Sequence, residues 1–180
     1  SAQFVISTNR DLKNVSVEVS DIVSKNYKIS KWNTERGFVR YVMTDELNKD
    51  GKGACGHRPN KADWDSTLVA DVIDHITPTL DIKKHTTQPV WVSVKVPREN
   101  IIKGMYRGTV TVKEDGKVLA QLPLVVTVKD RVLPEPKDWA FHLDLWQNPY
   151  SVARYYNVEP FSQEHFDLMR PIMTRYAEAG

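Results

Sequence analysis

Alternation of apolar and polar residues dominates the chain from Phe4 to Val128 and limits its possible folds more than any other feature. The segment PVWVSVKV, which begins at Pro89, shows it most clearly, and VSVEV, GFVRYVM and MYRGTVTV repeat it. A period of two is typical of strands with one buried face, because successive side chains of a strand point to opposite sides. Several such strands, separated by turn residues, predict an all-β fold, specifically an immunoglobulin-like antiparallel β-sandwich.

Turn residues and strand breakers refine this prediction. The pair Asp115-Gly116 predicts a tight hairpin, because these residues readily adopt the positive φ angles that a two-residue turn needs. In the returning segment KVLAQLPLVVTVKD, Pro123 has no N–H to donate, which favours an edge strand or a bulge. The segment LVADVIDHI fits either a short helix or a strand.

The charge balance and the lengths of the apolar runs exclude two classes of partner. The chain carries 25 Lys and Arg residues against 23 Asp and Glu residues, a net charge of +2, and no stretch concentrates the basic residues. We therefore expect no nucleic-acid partner. No apolar run reaches the roughly 18 residues of a membrane-spanning helix, so we expect no membrane span.

A long polar loop, MTDELNKDGKGACGHRPNKADWDS, interrupts the strands, and loops of this length are often functional. Its pair Asp45-Glu46 could divide acid and base roles, but we interpret both residues as solvated surface. Cys55 is the only cysteine, so no disulfide forms within the chain. Its neighbour His57 suggests a metal half-site or a nucleophile, and the other interpretation is a buried thiol. Because zinc sites need three or four ligands, we predict neither a metal nor another cofactor.

The alternating pattern of the sequence gives way to a different one at Trp139, after a stretch that contains Pro134 and Pro136. Two prolines stiffen the chain, so we predict a sandwich domain over 1–130, a linker over 131–138 and a second domain over 139–180. The segment from Ala140 to Leu145 is almost continuously apolar, as in a parallel strand buried on both faces. A helix follows it. One strand and one helix cannot bury that strand alone, so we expect the first βα unit of a truncated barrel domain.

Polar residues gather at the carboxyl end of this predicted strand. His142 and Asp144 alternate along it, and Trp146, Gln147 and Asn148 follow it. In α/β barrels this end carries the active site, and an indole face with two amides suits a sugar ring. We therefore predict a substrate-binding site that contains Asp144, Trp146, Gln147 and Asn148. The alternative is that Trp146 fills the core and the amides cap a turn.

The start of the predicted helix carries its own signals. Ser162 is a good N-cap, and Glu164 lies in the electropositive first turn. Phe161 and Phe166 flank that cap at the spacing of a hydrophobic staple. Tyr155 and Tyr156 precede the helix, where aromatic residues either line a groove or pack.

Six segments, in order along the chain, carry a resemblance to a known family: RYVMTDEL, CGHR, DSTLVADVID, PVWVSVKVP, GMYRGTVTV and FHLDLWQNPYSVARYY. They resemble the N-terminal part of glycoside hydrolase family 123, which is common in Bacteroides-type bacteria. The resemblance spans nearly the whole chain, and its most specific part is LDLWQNP.

This resemblance implies a β-sandwich followed by a (β/α)8 barrel. It implies an exo-acting hydrolase for terminal β-linked N-acetylhexosamine, expected to be N-acetylgalactosamine, on glycans or glycolipids. The implied mechanism is substrate-assisted: the 2-acetamido oxygen attacks the anomeric carbon, while an adjacent Asp-Glu pair orients the acetamide and donates the proton. In the family that pair lies on a later barrel strand. We therefore assign no catalytic residue here and expect this chain alone to be inactive.

The resemblance also implies a carbohydrate partner and a periplasmic or cell-surface location in a Gram-negative bacterium. The alternative function, from a different class, is a non-catalytic carbohydrate-binding module or a structural immunoglobulin-like module.

Overall fold

The structure is a computed structural model that describes residues 1–44, 60, 67–141 and 143–179. It divides into two compact units, Ser1–Asp130 and Arg131–Gly180. The polar loop lies almost entirely outside the described residues, so the interpretations of Asp45-Glu46, Cys55 and His57 stay predictions. None of the described helices combines the length and the apolar character that crossing a membrane requires.

Unit 1 is built from antiparallel strands in two sheets. One sheet has the order β1-β8-β5-β6, and the other has the order β4-β3-β9-β2-β7, with β10 paired to β9. The ten described strands are β1 Ala2–Ser7, β2 Leu12–Val19, β3 Ile22–Ser24, β4 Tyr27–Ile29, β5 Thr34–Thr44, β6 Thr67–Asp74, β7 Leu80–Ile82, β8 Thr87–Val94, β9 Gly104–Glu114 and β10 Lys117–Val128. The segment LVADVID, which fitted a helix or a strand, is therefore a strand.

The core of unit 1 lies between the two sheets. Phe38 and Val90 of the first sheet form one buried cluster with Val15, Val17 and Val110 of the second. Each such side chain stabilises the fold by about 1.5–3 kcal/mol relative to full exposure. These residues occupy the inward positions that the period-two pattern predicted. The predicted antiparallel β-sandwich is confirmed.

The β9–β10 hairpin turns where the sequence predicted. Asp115 and Gly116 both have positive φ, at 45° and 77°. Pro123 of β10 lies opposite Thr109 of β9. Among the described strands, β10 pairs only with β9, so the missing N–H of Pro123 falls on a sheet edge, as predicted.

Gly108 and Tyr106 lie on the same face of β9, where this strand pairs with β3. A Cβ atom on Gly108 would lie 3.0 Å from Cγ1 of Ile22, so a side chain there would crowd the neighbouring strand. Tyr106 is fully buried, and its hydroxyl donates to the Ile102 carbonyl at 3.0 Å and accepts from the Ile102 N–H at 3.1 Å. The buried phenol is therefore satisfied by one backbone residue.

Unit 2 contains a short 3-10 turn over Pro136–Asp138 and two helices, α1 Pro149–Tyr156 and α2 Gln163–Ala179. The sequence predicted α2 and its N-cap. Ser162 Oγ accepts from the His165 N–H at 3.2 Å, and the rings of Phe161 and Phe166 lie 6.4 Å apart. The sequence reading did not predict α1.

The strand predicted over Ala140 to Leu145 is not formed in the described part of that segment, which leaves out residue 142. Leu143 and Leu145 are each 40% exposed instead of buried on both faces. A parallel strand needs hydrogen-bonded neighbours, and no described strand pairs with this segment. The predicted strand was therefore wrong for the described residues of this segment, because an apolar pattern alone cannot supply a pairing partner.

Candidate functional site

The predicted site residues lie on an irregular segment that leads into α1. The side chains of Asp144, Trp146, Gln147 and Asn148 are all exposed, and Trp146 is 95% exposed. His142 lies outside the described residues. The structure does not bury the indole in a core, and it places Trp146, Gln147 and Asn148 next to one another just before a helix. Their role as a sugar site stays a prediction.

The amides of this segment make only local contacts. Gln147 Nε2 donates to the carbonyl of Trp146 at 3.1 Å. Asn148 occupies the N-cap position of α1, but its side chain makes no capping bond, and Pro149 begins the helix. The expected alternative, in which both amides cap a turn, does not describe Asn148. Its amide group is thus not used by the helix that follows.

Proline explains how this segment ends. The fixed φ of Pro149 suits the first helical position, where a missing N–H costs nothing. The Asn148 carbonyl accepts from the Ser151 N–H at 3.0 Å, which closes the first turn of α1. The helix ends at Tyr156 and is capped by Asn157, whose φ of 54° is left-handed. Local sequence signals therefore place Trp146–Asn148 immediately outside a short helix.

The turn between α1 and α2 contains a residue that the sequence reading missed. His165 is fully buried. Among the described residues of unit 2, only His165 and Ala153 are buried. Its Nδ1 accepts from the Phe161 N–H at 2.8 Å, and its Nε2 lies 2.9 Å from the Pro149 carbonyl oxygen. The available signal was its position three residues after the N-cap Ser162, from which a side chain can reach back across a helix start.

Several aromatic residues of α1 and of the turn that follows it are exposed. Tyr150 meets Phe161 edge to face, with ring centroids 5.4 Å apart. Tyr155 and Tyr156 lie in α1, form an edge-to-face pair at 4.9 Å and are both exposed. The structure therefore does not pack these two tyrosines into a core of the described residues.

The carboxylates with perturbed proton affinity lie in unit 1. The pKa of Glu114 is lowered mainly by hydrogen bonds from Arg10, and that of Asp81 mainly by a hydrogen bond from Lys13. Hydrogen bonds from Thr77 and from the Lys31 N–H lower the pKa of Asp74 and of Asp21. A general acid for sugar hydrolysis needs the opposite shift, a raised pKa. These four groups are therefore structural carboxylates.

A metal centre finds no support in the described residues either. Nowhere in ranges 1–44, 67–141 and 143–179 do three or more His, Cys, Asp or Glu side chains come together as ligands. Cys55 and His57 lie outside these ranges.

Comparisons with known proteins show what the chain resembles. The family model described as the glycoside hydrolase 123 N-terminal domain matches residues 1–114, and the model of the glycoside hydrolase 123 catalytic domain matches residues 146–180. No curated protein sequence matches the chain.

Several solved structures match the chain, and one of them illustrates the shared fold. It is a family 123 glycoside hydrolase from Clostridium perfringens, whose study concerns glycolipid glycan hydrolysis, with 24% sequence identity and a TM-score of 0.79. The alignment covers 98% of this chain but 29% of that one, so this chain spans less than a third of its length. The likeness confirms the predicted fold class, a β-sandwich followed by the start of a barrel. With a family match over residues 1–114 as well, the chain belongs to glycoside hydrolase family 123.

Proposed function

We propose that the chain is the N-terminal part of a hydrolase that removes terminal β-linked N-acetylhexosamine, with N-acetylgalactosamine as the expected sugar. The observation that carries this proposal is where the catalytic-domain match begins. It begins at Trp146, the 95% exposed indole at the start of the candidate site. A flat apolar face beside two amides offers what a sugar ring needs, stacking on one side and hydrogen bonds at its hydroxyls.

The proposed reaction is substrate-assisted. The oxygen of the 2-acetamido group attacks the anomeric carbon, and the bond to the leaving oxygen breaks as a general acid donates a proton to it. Water then opens the cyclic intermediate and restores the acetamide. In this scheme Trp146 walls the sugar, Gln147 or Asn148 bonds a hydroxyl, and Asp144 lies at the edge of the site. In this proposal the acid and the acetamide-orienting carboxylate belong to a part of the family's catalytic barrel that this chain does not include.

The same proposal assigns a role to each of the three segments of the chain. Residues 1–130 form a sandwich domain that supports the enzyme, 131–138 link the domains, and 139–180 begin the catalytic barrel. The expected location is the periplasm or the cell surface of a Gram-negative bacterium. Fractionation of cells that produce the full-length protein checks this location, and recovery in the cytoplasm contradicts it.

Substrate analogues test the proposed reaction. The protein to assay is this chain extended to a complete family 123 catalytic domain, and the substrates are aryl β-glycosides that differ at carbon 2. Because the acetamide oxygen is the nucleophile, we expect turnover of the N-acetylgalactosaminide and none of the galactoside, which has a hydroxyl instead.

Fluorination of the acetyl group sharpens this test. Each fluorine withdraws electrons from the acetamide oxygen, so kcat/KM should fall stepwise across the mono-, di- and trifluoroacetyl substrates. Equal rates across this series, or hydrolysis of the plain galactoside, would contradict the proposed mechanism. Absence of turnover of every glycoside favours the alternative, a binding or structural module.

A further inference from the structure

His165 is held in one chemical form by its surroundings. The ring is fully buried, with both nitrogens hydrogen-bonded to backbone groups. A backbone N–H only donates, so Nδ1, which accepts from Phe161, carries no proton. A carbonyl only accepts, so Nε2 donates its hydrogen to Pro149. The imidazole is therefore the neutral Nε2–H tautomer, and both of its polar atoms are satisfied.

The bond from Nε2 to Pro149 connects the start of α2 with the start of α1. The Pro149 carbonyl belongs to the first residue of α1, directly after Trp146–Asn148. A chain extends by at most about 3.6 Å per residue, so the Cα atom of Trp146 lies within about 11 Å of that of Pro149. The contact therefore anchors the helix residue that directly follows the candidate site.

A backbone outlier lies in the same place. Phe161 has a φ of 63°, in the left-handed region that bulky residues rarely adopt. This conformation coexists with contacts to both helices: the Phe161 N–H donates to Nδ1 of His165 in α2, and the Phe161 ring meets that of Tyr150 in α1 at 5.4 Å. Unfavourable conformations persist where the surrounding structure determines them, and they cluster at functional sites.

We propose that His165 is a positioning residue for the sugar site: through Pro149 it holds Trp146, Gln147 and Asn148 in place. This inference rests on the proposed function. His165 itself does not touch substrate. A simple capping role would require only the bond to Phe161, because the side chain of the third helical residue commonly reaches back to a free N–H before the helix. The second bond, from Nε2 to Pro149, is the one that a cap does not need.

Three variants separate positioning from capping. His165→Leu removes both bonds, and His165→Gln replaces them, because an amide has one acceptor and one donor on the same group. Ser162→Ala is the matched control. It removes the hydroxyl that accepts from the His165 N–H in the same helical turn, but it leaves the bond to Pro149 intact.

The first readout is independent of activity and uses the 180-residue chain. Nitrogen-15 relaxation should show Trp146–Asn148 ordered in the wild type and more mobile in His165→Leu, with order restored in His165→Gln and unchanged in Ser162→Ala. Equal mobility in the wild type and His165→Leu overturns the proposal, and so does equal loosening in Ser162→Ala.

If His165→Leu does not fold, the wild-type imidazole nitrogen spectrum decides. A charged ring or a proton on Nδ1 contradicts the proposal, and the neutral Nε2–H form supports it.

The second readout is kinetic and uses the longer enzyme described above. A misplacement of about 1 Å lowers the rate by up to about 100-fold, so His165→Leu should lower kcat/KM by about 10–100-fold. His165→Gln should recover most of this loss, and Ser162→Ala should leave kcat/KM unchanged. Unchanged kinetics in His165→Leu overturns the inference. An inactive wild type overturns the proposed function instead, and the relaxation data still decide whether His165 positions the segment.

Discussion

Glu114 and Trp146 illustrate two roles of single side chains in this chain: one stabilises the sandwich, and the other is exposed to solvent. The Glu114 carboxylate accepts two hydrogen bonds from the Arg10 guanidinium, at 2.8 and 2.6 Å, and a third from the Lys13 N–H at 3.1 Å. It joins the end of β9 to the turn before β2. The Trp146 side chain makes no comparable set of hydrogen bonds to the described residues and is exposed. One residue therefore holds the sandwich, and the other is available for a ligand.

The pH dependence of stability should report on Glu114. Its pKa is lowered in the folded state, chiefly by Arg10, from a usual value near 4.5. Below that value the unfolded chain binds the proton first, so the stabilisation is present above pH 4.5 and is lost as pH falls through the folded pKa. We expect urea unfolding between pH 7 and pH 3 to show a shallower acid decline in Glu114→Gln than in the wild type.

Arg10→Gln supplies the comparison for this measurement, since it removes the main cause of the shift and leaves the carboxylate. It should flatten the acid decline in the same way. An unaltered pH profile in both variants would show that the folded and unfolded pKa values of Glu114 do not differ.

Replacing Trp146 should affect activity and not stability. Substitutions at exposed positions without special contacts usually change stability by less than about 0.5 kcal/mol. In the longer enzyme, Trp146→Ala should lower kcat/KM by about tenfold, since aromatic contacts contribute roughly 0.5–1.5 kcal/mol beyond burial of their area. Tyr155→Ala removes another exposed aromatic residue and serves as the control. A variant that melts several degrees early yet turns over normally would identify Trp146 as a core residue of the full enzyme.

At the scale of elements, sequence patterns predicted structure where the physical cause is local. Val15 and Val17 on β2 are buried because alternation fixes their face, and Ser162 caps α2 because its hydroxyl meets a free N–H one turn away. The strand before Leu145 failed because its pairing depends on partners distant in sequence. His165 was missed because a histidine's role depends on groups that only folding brings together.

The β9–β10 hairpin offers a test of local prediction. Gly116 has a φ of 77°, and a Cβ atom there would meet nothing within 4 Å. Any cost of Gly116→Ala therefore comes from backbone conformation alone, and we expect a loss of about 1 kcal/mol in the free energy of unfolding. Gly116→Asn should cost less, because asparagine tolerates this region. If both variants are as stable as the wild type in urea, the turn does not require a left-handed residue.

At the scale of the whole molecule, the two units differ in how much they bury. Unit 1 holds two buried clusters, one of them around the fully buried Tyr106, whereas the described residues of unit 2 bury only Ala153 and His165. A unit with so little core is expected to be held less firmly than one with a full sandwich core. The chain therefore joins a unit with a sandwich core to a unit that buries few of its described side chains.

Limited proteolysis checks this contrast. Residues 131–135 are exposed and irregular, and Lys129, Arg131 and Lys137 offer exposed trypsin sites. Early cleavage should fall between 129 and 138, and a product near residues 1–130 should keep its β-type circular dichroism. Persistence of these bonds after unit 2 has been degraded would contradict the proposed linker.

Hydrolysis by the chain alone tests the central claim most directly, namely that this chain provides the sandwich and one side of a sugar site while the acid chemistry lies elsewhere in the enzyme. The measurement compares release of the aryl group from an aryl β-N-acetylgalactosaminide by the purified 180-residue chain and by the longer protein. General acid catalysis alone contributes roughly 10²–10⁴-fold, so the chain should show no turnover above the buffer rate while the longer protein is active. Turnover by the chain at a rate close to that of the longer protein would contradict the account.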